Sequence, residues 1–140
     1  MIIQRWQNLL LFISALLMCV FFFTPFASVA ASDGLGDLAV YAYSFPVFLT
    51  LNLAIFIMLI IAIALFRDLK KQRLVTATTI LLLIVSVVSA VIMVNNTIPG
   101  AQLEWLGGIS MPVISAVCCL VAYICMGKDQ KKLRSYDRLR

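Results

Sequence analysis

Along this chain, charge is confined to short breaks between long uncharged runs. Four runs, roughly 7–29, 43–66, 74–94 and 106–126, contain no Asp, Glu, Lys, Arg or His. A helix rises about 1.5 Å per residue, so about 20 apolar residues cross a hydrocarbon core of about 30 Å. Each run is long enough. The pattern therefore predicts an all-α, polytopic membrane protein: a four-helix transmembrane bundle in one domain covering 1–140, with residues 127–140 as a basic tail. No internal repeat is evident, which argues against an inverted-repeat transporter within one chain.

Within the runs, small and weakly polar residues form stripes. Gly108, Pro112, Ser115, Cys119 and Ala122 recur at steps of four and three, and Thr79, Ser86 and Ala90, at steps of seven and four, make a similar stripe with Ser89 beside it. Lipid tails are as apolar as leucine, so membrane helices associate through close contact at small residues and through interhelical hydrogen bonds. The stripes are expected to be the seams of the bundle. Asn52, Ser86 and Ser89 are the candidate intramembrane polar contacts, with Asn52 expected to bond a neighbouring helix. Pro46 and Pro112 fall near helix starts, where a missing N–H costs little. Trp6 and Phe66 would sit at one interface, and Tyr41, Tyr43 and Trp105 at the other.

Charge then orients the bundle. All eleven Lys and Arg fall before the first run, between the second and third, or after the fourth. Six of them lie in the last thirteen residues, KDQKKLRSYDRLR. The other two connections carry only Asp33, Asp37 and Glu104. Lys and Arg are retained in cytoplasmic loops, so both termini are expected inside. Arg67, Lys70, Lys71 and Arg73, with Lys131, Lys132, Arg134, Asp137, Arg138 and Arg140, are the candidate contacts to anionic lipid or to a partner. With one aromatic residue and no recognisable nucleic-acid-binding fold, the tail gives no reason to expect nucleic-acid binding. The N-terminal segment also has the layout of a signal peptide, with small residues in ASVAAS, but its apolar run is long enough to be an uncleaved helix. Cleavage would leave three helices with the same loop orientation.

The chemistry on offer is sparse. The chain is 64% hydrophobic and 12% charged, which leaves no room for a soluble catalytic domain. No ionisable group lies within a run, which disfavours a proton-coupled exporter with a buried carboxylate. Cys19, Cys118, Cys119 and Cys125 lack C-x-x-C spacing, a basic neighbour within the run and any histidine, and read as small apolar fillers rather than redox or metal groups. Asp33, Asp37 and Glu104 match no cation-loop signature, and Gly34 and Gly36 between the acids suggest a solvated turn. The sequon at Asn95 is too close to the third run to be a glycan site. No enzyme activity and no cofactor are expected.

The two ends carry a resemblance. IQRWQ (Ile3, Gln4, Arg5, Gln7) and RSYDRLR (Arg134, Ser135, Asp137, Arg138, Leu139, Arg140) resemble the terminal elements of a family of small four-helix membrane proteins from Bacteroidota, known only as a domain of unknown function. The resemblance implies a Gram-negative inner membrane and no particular reaction. It also raises a pairing of Asp137 with Arg5 or Arg134. The expected role is an accessory or scaffold subunit that packs against a membrane-protein partner or a second copy. A homo-oligomeric small transporter or channel would need Asn52, Ser86 and Ser89 to face a shared cavity. A lipid-headgroup enzyme would need Asp33, Asp37 and Glu104 to converge on a metal.

Overall fold

A computed structural model of the chain describes residues 2–29, 38–97, 103–105 and 107–137. Four helices dominate it: α1 (Ile2–Phe23), α2 (Pro46–Ala64), α3 (Leu69–Thr97) and α4 (Ser110–Asp137). All four are long and apolar enough to cross a membrane. They close into a ring in which α1 meets α4, α4 meets α3, α3 meets α2, and α2 meets α1.

Each helix buries one stripe at steps of three and four. In α2 it is Phe48, Asn52, Ile55, Leu59 and Ala62; in α1, Gln7, Leu11, Ser14, Met18 and Phe21. In α3 the stripe runs from Gln72 through Thr76, Thr79, Leu83 and Ser86 to Ala90; in α4, from Pro112 through Ser115, Cys119 and Ala122 to Met126, and Gly108 continues it in the short 3-10 turn before the helix. A mean step of 3.5 keeps one seam facing its partners, as in a coiled coil. The remaining faces expose Phe12, Leu53, Ile84 and Val117, among others.

The helix ends depart from the expected runs. α1 stops at Phe23 rather than continuing to residue 29. Pro25 disfavours helical geometry at Thr24, and the chain leaves as an extended strand. α3 starts five residues earlier than expected, and its first carbonyl partner is Asp68, which accepts from Gln72 N–H at 2.9 Å. α4 continues through the tail to Asp137, so residues 127–137 are helix rather than a separate element.

The fold is also not purely helical. Three short strands, β1 (Ala27–Val29), β2 (Leu38–Val40) and β3 (Leu103–Trp105), form an antiparallel sheet with β1 in the centre. It ties the α1–α2 connection to the α3–α4 connection. Beneath it Phe21, Phe26 and Phe48 cluster with ring centroids 5.6 to 6.2 Å apart. At Gly108 an added Cβ would run into the Pro25 carbonyl, so that close crossing requires glycine. The start of α1, the α2–α3 turn and the end of α4 lie at the opposite end.

Candidate functional site

Polar groups inside the bundle are spent on one another. In the middle, Ser86 Oγ donates to Asn52 Oδ1 at 2.8 Å, and Asn52 Nδ2 donates to the Phe48 carbonyl at 2.8 Å. Ser89 is half-buried and bonds back to Ser86 O on its own helix, so it does not join that contact. Between α1 and α4, the Ser14 and Ser115 hydroxyls bond to each other, with Cys119 Sγ 3.1 Å from Ser14 Oγ. Cys119 is buried, Cys118 and Cys125 are half-buried, and Cys19 is exposed.

The end carrying the termini is richer. Gln7 Nε2 donates to Asp129 Oδ2, joining α1 to α4. Gln72 Nε2 donates to Asn8 Oδ1 at 2.8 Å and to the Ala62 carbonyl at 3.0 Å, joining α3 to α1 and α2. Gln7 and Gln72 are fully buried, and the Oε1 atom of each has no protein partner. On the α3–α4 seam, Arg73 Nη1 donates to Gln130 Oε1 at 3.0 Å and Nη2 to the Tyr123 hydroxyl at 3.2 Å. The guanidinium lies 4.6 Å from the Tyr123 ring centre and above Gly127, where an added Cβ would come within 3.5 Å of it. Cation–π stacking and two hydrogen bonds fix its orientation.

Two basic grooves flank a ridge formed by Gln130 and Arg134. One, of about 510 Å³, is lined by Arg67, Lys70, Lys71 and Arg134 with Leu69 and Leu133. Its acid, Asp68, pairs with Lys71 at 3.3 Å. The other, of about 410 Å³, is lined by Arg73, Lys128, Lys131 and Arg134 with Tyr123 and Ile124, and among the described residues no acid is in its wall. Chemically, these are recesses for a negatively charged group.

The structure thus brings Arg67, Lys70, Lys71 and Arg134 to one groove and Arg73, Lys131 and Arg134 to the other. Lys132 is exposed and lines neither. The Arg5 and Asp137 side chains lie outside the described residues, as do Arg138 and Arg140, and with them the expected Asp137 pairing. Asp33, Asp37, and the Glu104 and Trp105 side chains also lie outside. Sequence reading named Gln7 only as part of the N-terminal element and did not single out Gln72, Tyr123, Asp129 or Gln130. A signal for part of this set existed: Tyr123, Gly127, Gln130 and Arg134 stand at steps of four, three and four, one helical face running past the end of the uncharged run.

Residues 3–139 match the model of a domain of unknown function, DUF4293, and the chain belongs to that family. No curated protein matches it.

Proposed function

We propose that the chain is a multi-pass protein of a bacterial inner membrane, of Bacteroidota origin, serving as an accessory or scaffold subunit. In this reading the termini and the α2–α3 turn are cytoplasmic, and the small sheet faces the periplasm. Along the chain every Lys and Arg falls before the first apolar run, between the second and third, or after the fourth, which is the distribution that retention of cations inside would produce. The helix extensions then stand in the headgroup layer and cytosol, where they meet anionic lipid or a partner protein.

The observation that carries the scaffold role is the way interior polar groups are used. Asn52 and Ser86 are buried within one chain and bonded to each other. A pore shared between copies would need them turned toward the neighbour. Their engagement supports a bundle whose work is done at its outer surfaces.

The test is purification at native expression level in mild detergent, followed by native mass analysis and crosslink identification. A defined hetero-complex with reproducible crosslinks is the expected result. A lone chain or homo-oligomer would overturn the subunit reading and favour the oligomeric transporter.

A further inference from the structure

The Arg73 groove changes character along its length. Toward the end of the bundle its walls are Lys128, Lys131 and Arg134; toward the middle they are Tyr123 and Ile124. A recess of about 240 Å³ shares Arg73, Tyr123 and Gln130 with it and continues to Leu74 and Ala77, with Lys70 also in its wall. Cations at one end and apolar walls at the other match a charged headgroup with attached acyl chains. A free inorganic anion would have no use for the apolar half.

Arg73 gives this groove a built centre. Its two terminal nitrogens each donate one hydrogen bond within the protein, to Gln130 and Tyr123, and each keeps a second N–H. Among the described residues no Asp or Glu lines the groove, and four cations do. Basic pockets between spanning helices at a cytoplasmic face suit acidic lipid headgroups.

We infer that the α3–α4 seam binds one anionic phospholipid, with its phosphate against Arg73, Lys128 and Lys131 and its acyl chain along Ile124, Leu74 and Ala77. This site deepens the proposed function and rests on its placement of the basic end in the cytoplasmic leaflet. Lipid occupancy would give the bundle a composition-dependent anchor at the seam.

The test is native mass spectrometry of the isolated full chain in detergent, titrated separately with phosphatidylglycerol, phosphatidylcholine and inorganic phosphate. It needs no partner, so failure of the subunit reading leaves it intact. One retained phosphatidylglycerol per chain is expected, with phosphatidylcholine and phosphate ineffective. Lys128 and Lys131 are exposed, so Lys128→Gln/Lys131→Gln keeps the fold and is expected to weaken binding about 25-fold, at about fivefold per cation. Lys132→Gln removes one charge at a residue that lines neither groove and is expected to leave binding within about twofold, against about fivefold for Lys131→Gln. Equal losses in Lys131→Gln and Lys132→Gln would overturn the site, as would equal retention of phosphatidylcholine. Displacement of the lipid by phosphate at similar concentration would overturn it in favour of a soluble anion.

Discussion

Among individual residues, the highest stakes lie with buried polar groups at the basic end. Gln7 is fully buried and its amide points at Asp129. Asp129→Leu would leave that donor unpaired, at a cost of about 1–3 kcal/mol. Asp129→Asn retains an acceptor and is expected to cost much less. Thermal unfolding of the two variants in detergent separates them; equal midpoints would show that the contact carries no stability. Gly108 is a second sharp case. Gly108→Ala forces a methyl onto the Pro25 carbonyl and is expected to cost about 1–3 kcal/mol, whereas Gly107→Ala meets nothing within 4 Å. A Gly107→Ala variant as unstable as Gly108→Ala would contradict that crossing.

Between elements, the seams are held by shape and a few hydrogen bonds, because hydrophobic burial does not distinguish a neighbouring helix from lipid. The Asn52–Ser86 bond joins α2 to α3. A double-mutant cycle with Asn52→Leu and Ser86→Ala is expected to show a coupling of about 0.6 kcal/mol, at most about 2 kcal/mol. Strict additivity would place the two side chains apart.

The seam stripes were legible in sequence because small residues stand out in an apolar run: Gly108, Ser115, Cys119 and Ala122 are all buried. The helix ends were not. Hydropathy marks where hydrocarbon ends, but α3 and α4 run on through polar residues, and 29 residues span about 43 Å against a core of about 30 Å. Gln72 and Gln130 therefore looked like loop and tail, although each faces another helix. The sheet escaped because three-residue strands are too short to show alternation.

At the scale of the whole molecule, the bundle is asymmetric end to end. One end is capped by the sheet and a phenylalanine cluster; the other is a set of basic helix extensions around two grooves. The proposed lipid and partner contacts lie at that second end, so the central claim is that it occupies the cytoplasmic side of a membrane. Ser44 and Lys132 are exposed at opposite ends. The most direct measurement introduces Ser44→Cys or Lys132→Cys into a chain freed of its four native cysteines and labels spheroplasts with a membrane-impermeant maleimide. Reaction at position 44 in intact spheroplasts, and at position 132 only after permeabilisation, is the expected result. Labelling of position 132 in intact spheroplasts would put the basic end outside and contradict the proposed role.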